Sequence, residues 1–126
     1  MLSLSWRTLS YFLGLLLLVA GPATSASAQQ SIQGGAAQPG DIICLAAVQV
    51  SAVQALHVVG NAFDPNTLNP VVVKWVVFDV DTNIRLLKVV DSQVNQSVLG
   101  NGDHYQSCIN NNSTIAVTFN LSQTVQ

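Results

Sequence analysis

The chain has 126 residues, of which 49% are hydrophobic and only 8% are charged. It contains no Glu, and beyond residue 28 six Asp oppose three cationic side chains, which gives that part a net charge of −3. The lack of a basic patch argues against nucleic acid as a partner, because nothing would neutralise the phosphates. Roughly a hundred residues beyond residue 28 suffice for a single domain with one modest core.

The first 28 residues have the parts of a secretory signal peptide. Arg7 supplies the positive start, residues 11–20 form an apolar run, and Ala26-Ser27-Ala28 is an A-x-A site, so cleavage is predicted after Ala28. The apolar run is shorter than the ~20 residues that a spanning helix needs. We therefore expect a secreted or periplasmic product with no membrane span once the leader is removed.

Residues 29–40 are predicted to be a flexible N-terminal segment, because Ile32 is their only large apolar side chain among Gln, Gly and Ala. A single β-rich domain is expected over 41–126. It is held together by one predicted disulfide, described below.

Residues 42–59 allow two interpretations. Asp41 as an N-cap, Gly60 as a C-terminal stop and several Ala favour one long helix, which would make the fold α+β. The many β-branched residues and the alternation over 48–51 favour two strands instead, at about 42–50 and 53–59. We adopt the two strands.

The clearest strand prediction is 71–80, VVVKWVVFDV, in which eight of ten residues are β-branched or aromatic. Asp81-Thr82-Asn83 follows as a tight turn in which Asn83 suits a left-handed conformation. A second strand is predicted over 84–90, so 71–90 should form a β-hairpin.

Three more strands are predicted at 94–99, 104–110 and 114–121, separated by turns rich in Gly and Asn. The last strand alternates cleanly, so one of its faces should lie in the core; the residues of that face are Ile115, Val117, Phe119 and Leu121. Six or seven short strands with frequent turns indicate an all-β fold, a small antiparallel β-sandwich.

Cys44 and Cys108 are the only cysteines, and both lie beyond the leader. In an oxidising compartment such a pair predicts a disulfide, which closes a long loop and stabilises the domain by about 4 kcal/mol. The pair and the sequence 103–108, DHYQSC, resemble the second-cysteine region of immunoglobulin-type domains. The resemblance implies an immunoglobulin-like sandwich architecture.

Asp79, Asp81 and Asn83 have the D-x-D-x-N opening of a calcium loop. Ile84 stands where such a loop needs Gly, and Asp91 is too distant to close it, so a solvated hairpin turn is the favoured interpretation. A second conceivable cation site would gather loop residues at one end of the sandwich, namely Asp64, Asn66, Asn101 and Asp103. No cofactor is predicted.

No catalytic set is apparent, and we predict that the chain is not an enzyme. Asp103 precedes His104, but neighbours on a strand point to opposite faces and form a triad poorly. The sequence has no G-x-S-x-G elbow and no Glu for an H-E-x-x-H site. Trp75, flanked by Val, is expected in the core, His57 partly buried and His104 on the surface.

The sequence thus predicts an exported, non-catalytic binding or cell-surface interaction module with a protein or glycan partner. Loops 60–70, 81–83 and 100–104 would carry the contacts if they share one end of the sandwich, with Phe63, Asp64 and Asn66 as a contact loop. One alternative is a structural subunit that self-assembles by edge-strand addition, with 114–121 as donor, since few charges protect the strand edges. A second alternative is a small hydrolase or calcium-dependent module.

Overall fold

A computed structural model describes residues 29–126, and all regular structure in that range is β-strand. The nine strands are β1 (Gln29–Ala37), β2 (Ile42–Cys44), β3 (Val48–Gln49), β4 (Ala55–Phe63), β5 (Val73–Asp79), β6 (Ile84–Asp91), β7 (Gln93–Leu99), β8 (His104–Asn110) and β9 (Val117–Val125). One antiparallel sheet has the order β1-β9-β4-β7, and the other has the order β2-β8-β5-β6, with β3 also paired to β8. The predicted all-β sandwich is confirmed.

The alternative helix over 42–59 is wrong. This segment forms β2, β3 and the start of β4. β2 and β3 both pair with β8, so they are two parts of one edge strand that is interrupted at residues 45–47. The β-branched residues decide the outcome because their side chains fit the pleated surface of a sheet better than a helix.

Residues 29–37 form an edge strand, where the sequence predicts a flexible segment. β1 pairs with β9 along its whole length, Ile32 packs against the core, and Ala37 is fully buried. This segment has little apolar surface to bury, but its backbone N–H and C=O groups form hydrogen bonds with the neighbouring strand β9, and this pairing orders it. The turn after β1 is held by Asn111, whose buried amide donates to the carbonyl oxygen of Ala37.

The predicted hairpin over 71–90 is confirmed as β5 and β6, joined by a turn in which Asn83 has φ 58°. Strands at 94–99 and 104–110 are also confirmed as β7 and β8. The last strand begins and ends later than predicted, at Val117 and Val125. Its inner face is buried as expected, but Ile115 lies before the strand and is 41% exposed.

The predicted disulfide joins Cys44 to Cys108, which face each other across β2 and β8 with their Cα atoms 4.0 Å apart. It therefore links neighbouring strands of one sheet, whereas the conserved bridge of antibody domains links the two sheets. Cys108 is buried and Cys44 is exposed. The disulfide is compatible with an oxidising environment.

The two sheets are held together by a core in which Trp75 is the largest buried side chain. Trp75 on β5 crosses the interface and lies against Gly60 on β4, where a methyl group added to the glycine would come within 2.8 Å of the indole carbon Cζ3. The indole Nε1 donates to the carbonyl oxygen of Asp91 at 3.0 Å. The core position predicted for Trp75 is confirmed.

One buried amide also connects the sheets. Gln123 on β9 is 1% exposed, and its Oε1 accepts a hydrogen bond from the backbone N–H of Ser107 on β8 at 3.1 Å. Its Nε2 donates to the carbonyl oxygen of Ala46 at 2.8 Å. Ala46 lies in the interruption between β2 and β3, so the Gln123 amide replaces the strand partner that β8 lacks there.

The predicted leader, with its cleavage site after Ala28, lies outside the described residues. Within residues 29–126 the structure contains no helix of the length and apolar character needed to cross a membrane.

Gly60→Ala is expected to reduce the free energy of unfolding by about 1–3 kcal/mol, because the added methyl group overpacks the contact with Trp75. Chemical denaturation measures the change. In a Trp75→Phe background the same substitution should cost less, since a phenyl ring does not reach as far as the indole. A neutral Gly60→Ala variant would contradict this packing.

Gln123→Leu is expected to lower the free energy of unfolding by about 1–3 kcal/mol or more, because it leaves the N–H of Ser107 and the C=O of Ala46 buried without partners. Ser107→Ala is the matched control at the same place. The Ser107 hydroxyl is buried without a hydrogen-bond partner among the described residues, so its removal should be neutral or stabilising. Equal losses in both variants would refute the bridging role of Gln123.

Candidate functional site

An acidic cluster forms where the turn after β5 meets the start of β8. Oxygens of Asp79, Asp81 and Asp103 lie within 4.8 Å of one another. Asp79 ends β5 and is 2% exposed, Asp81 lies in the hairpin turn, and Asp103 directly precedes β8. The structure thus brings two of the three predicted metal residues together with Asp103, while Asn83 is exposed in the same turn.

Asp79 is surrounded by donors from the protein itself. Its Oδ1 accepts the backbone N–H groups of Asp81 at 3.0 Å and Thr82 at 3.2 Å, and its Oδ2 accepts Nδ2 of Asn101 at 3.2 Å. Burial opposes ionisation, but the hydrogen bonds from Asp103, Asn101 and Thr82 outweigh it and hold the pKa of Asp79 below its ordinary value. This carboxylate organises the hairpin turn.

Asp81 and His104 are hydrogen-bonded, and theirs is the only Asp contact with a basic side chain at salt-bridge distance within residues 29–126. Asp81 Oδ2 accepts the backbone N–H of His104 at 2.7 Å and lies 3.0 Å from the ring Nδ1. The two hydrogen bonds from His104 lower the pKa of Asp81. His104 is exposed and His57 is half-buried, as predicted, with the Nε2 of His57 2.7 Å from Oδ1 of Asn95.

Asp103 has the opposite character. Its interaction with the Asp79 carboxylate favours the protonated form, and this effect, together with burial, raises the pKa of Asp103. Three carboxylates this close are suitable oxygen ligands for a hard cation. Asp79 and Asp81, however, already accept hydrogen bonds from the protein that stabilise their negative charge, and we assign no ion here.

The predicted contact loop lies at the other end of the sandwich. Asp64 and Asn66 follow β4, whereas the acidic cluster follows β5 at the opposite end of the antiparallel strands. Loops 60–70, 81–83 and 100–104 therefore do not share one end, and Asp64 and Asn66 do not join Asn101 and Asp103. Asp64 instead orders its own loop: its Oδ1 accepts the N–H of Asn66 at 2.8 Å.

Leu68 is a feature of the contact loop that the sequence did not predict. This residue has φ 64°, a left-handed conformation that is unfavourable for Leu, and it is 71% exposed. It lines a shallow depression with Phe63, Pro70 and Gln93. The sequence around Leu68 does not predict its left-handed conformation, because such conformations are usually predicted at Gly or Asn.

A second surface, which we call the cationic face, is the outer face of β5 and β6. It contains Lys74, Arg85 and Lys88, all the cationic side chains of residues 29–126. In the hairpin Lys74 lies opposite Val90, Lys88 opposite Val76, and Arg85 opposite Phe78. Directly opposite residues share a face of the sheet, and diagonal neighbours are only about 7–8 Å apart.

Arg85 joins this face because of a β-bulge. The register of β5 and β6 shifts between Val77 and Phe78, so Leu86 has no partner of its own and Arg85 lies opposite Phe78. Strict alternation would direct Arg85 inward together with Leu87 and Val89. The alternation of residues in the sequence alone therefore does not predict that Arg85 lies on the same face as Lys74 and Lys88.

The chain matches no protein-family model and no curated protein. Candidate functional residues are therefore identified only from side-chain chemistry and geometry. Two candidate regions result: the acidic cluster, whose carboxylates accept hydrogen bonds from the protein, and the cationic face, whose Lys and Arg side chains are not paired with any Asp in residues 29–126.

The carboxyl groups of Asp79 and Asp103 should affect stability in opposite directions as pH changes. Asp79 has a lowered pKa, so its contribution is present above the ordinary carboxyl pKa and is lost as pH falls through the folded-state value. Asp103 has a raised pKa, so its contribution is present at low pH and is lost as pH rises through the folded-state value.

At neutral pH, Asp79→Asn should therefore lower the melting temperature, and Asp103→Asn should leave it unchanged or raise it, because an Asn amide can donate to Asp79 without ionising. Thermal melts at several pH values measure both effects. The difference between the wild type and Asp103→Asn should shrink as pH falls below about 4. A lower melting temperature for Asp103→Asn at neutral pH would contradict this assignment.

Proposed function

We propose that the chain is an exported, non-catalytic binding module that recognises an acidic protein partner through the cationic face. The observation that carries the proposal is that Lys74, Arg85 and Lys88 share one sheet face although residues 29–126 have a net charge of −3. Within those residues none of the three is paired with an Asp. Neighbouring like charges destabilise a sheet, so their clustering is not explained by the fold.

Exposed apolar side chains beside these cations favour a protein over a glycan. Ile42 is 62% exposed, Val90 54% and Leu86 36%. Glycan recognition commonly uses an exposed aromatic ring, but Trp75 and Tyr105 are each 1% exposed, and Phe78 on the cationic face is half-buried. A surface that combines cations with aliphatic groups fits a partner segment in which acidic and apolar residues alternate.

Export would explain both the predicted leader and the disulfide. The predicted leader directs the chain across a membrane, and the Cys44–Cys108 disulfide is compatible with the oxidising compartment beyond it. The hydrolase and calcium-dependent alternatives have less support, because Asp79 is nearly inaccessible and its oxygens already accept hydrogen bonds. Secretion or periplasmic residence thus belongs to the proposal together with the binding role.

The edge-strand alternative cannot use its predicted donor. Residues 117–121 belong to β9, which pairs with β1 on one side and β4 on the other. An interior strand has no free backbone groups to offer, so the choice of 114–121 as donor is wrong.

Arg85→Gln/Lys88→Gln is expected to weaken binding to a synthetic peptide of alternating Glu and Val by about tenfold, because two favourable charge contacts are lost. Fluorescence anisotropy measures the affinity, which should also decrease with added salt. Gln33→Glu/Gln126→Glu changes the net charge equally at exposed positions away from the face and should bind almost as the wild type does.

Two results would contradict the proposal. Equal losses in the two double variants would mean that only net charge matters. Tighter binding to heparin than to the peptide would indicate a polyanion or glycan partner instead. Phe63→Ala/Asn66→Ala is expected to bind normally, and a loss there would move the binding surface to the contact loop.

A further inference from the structure

β7 is an edge strand, and no other strand of residues 29–126 pairs with its outer side. It forms one end of the sheet β1-β9-β4-β7 and pairs with β4 over its full length, Gln93–Leu99, without a register shift. It contains no charged residue and no Pro. Leu99 is 82% exposed and, with the three polar residues 95–97, leaves most of the strand open to solvent.

The other three sheet edges in the described range are protected against strand addition. β1 contains a bulge around Gly34, which has φ 66°. The β2–β3 edge is interrupted at residues 45–47, and β6 combines a bulge with Arg85 and Lys88. Bulges, interruptions and cations are the usual devices that prevent edges from pairing, and β7 has none of them.

The backbone groups that β7 presents outward follow from its pairing with β4. The N–H of Ala62 donates to Ser92 at 2.9 Å, and the N–H of Gly100 donates to Gln54 at 2.8 Å, at the two ends of one unbroken register. Hydrogen-bonded pairs alternate along an antiparallel ladder, so even-numbered residues of β7 bond to β4. The odd-numbered residues Gln93, Asn95, Ser97 and Leu99 direct their N–H and C=O groups away from it.

We propose that the free edge of β7 binds β7 of a second copy of this chain, antiparallel, about a two-fold axis through Gln96. In this register Asn95 faces Ser97 of the second copy, and Gln93 faces Leu99. The outward groups of Asn95 and Ser97 are then all paired. The N–H of Leu99 also gains a partner, while its carbonyl oxygen accepts the Tyr105 hydroxyl at 2.8 Å.

The side chains of β7 are compatible with self-pairing in this register. Val94, which is 3% exposed, lies opposite Val98 of the second copy on the inner face, so the apolar row continues across the junction. Gln96 meets its own counterpart, and a primary amide can both donate and accept. No like charges face each other, because all charged residues of the described range lie outside β7.

The arrangement joins two four-stranded sheets into one continuous sheet of eight strands. A two-fold axis normal to that sheet leaves both five-stranded sheets on the same side. Their cationic faces then point in one direction, which allows a partner with repeated acidic segments to engage both copies.

The proposal is tested with the full chain recovered from an exporting host, by sedimentation equilibrium over a range of concentrations. The wild type should form a concentration-dependent dimer. Gln96→Lys places two ammonium groups opposite each other on the axis and should weaken dimerisation by about tenfold or more. Gln33→Lys adds the same charge to the exposed edge strand β1 and should dimerise as the wild type does.

Cross-linking tests the register. With oxidised glutathione as oxidant, Gln96→Cys should form a disulfide between copies, because residues opposite each other in a non-hydrogen-bonded pair are close enough to bridge. Gln33→Cys should remain monomeric on a denaturing gel. A wild type that stays monomeric, a dimer that survives Gln96→Lys, or a Gln96→Cys variant that fails to cross-link would each overturn the proposal.

Discussion

The contact between Trp75 and Gly60 fixes the relative position of the two sheets. The indole extends from β5 into the space that the missing side chain leaves on β4. Its N–H is bonded to Asp91, immediately before the chain crosses from β6 to β7. The hairpin that carries the cationic face and the strand that ends in Asp79 are therefore positioned by the same aromatic ring. A displaced Trp75 would disturb both surfaces.

Local pattern accounts for most of the fold. Alternation and β-branched residues identify β5, β6 and β8, because burial on a pleated surface selects those side chains directly. β1 could not be found in this way, since its Gln, Gly and Ala residues are ordered by pairing with β9, which lies about eighty residues later. The break between β2 and β3 was not predicted either; at that point the buried amide of Gln123, which belongs to the other sheet, is hydrogen-bonded to Ser107 and Ala46.

The candidate surfaces were less predictable than the fold. Asp79 and Asp81 are recognisable from their spacing, but Asp103 joins them only because β8 begins beside the end of β5. The position of Arg85 depends on a one-residue bulge in β6. The exposure of β7 as an edge depends on the strand order of its sheet. Each of these is a property of sheet order or register, which hydrophobic periodicity does not encode.

The position of β9 in its sheet sets an order of assembly. It follows the other eight strands in sequence, yet it lies between β1 and β4 and is needed to join them. All strands of the other sheet, and both cysteines, precede residue 111. If the chain emerges N-terminus first, all strands of the five-stranded sheet and both cysteines emerge before β9. β1 then has no strand partner until residues 117–125 follow. The four-stranded sheet is therefore incomplete until β9 is available.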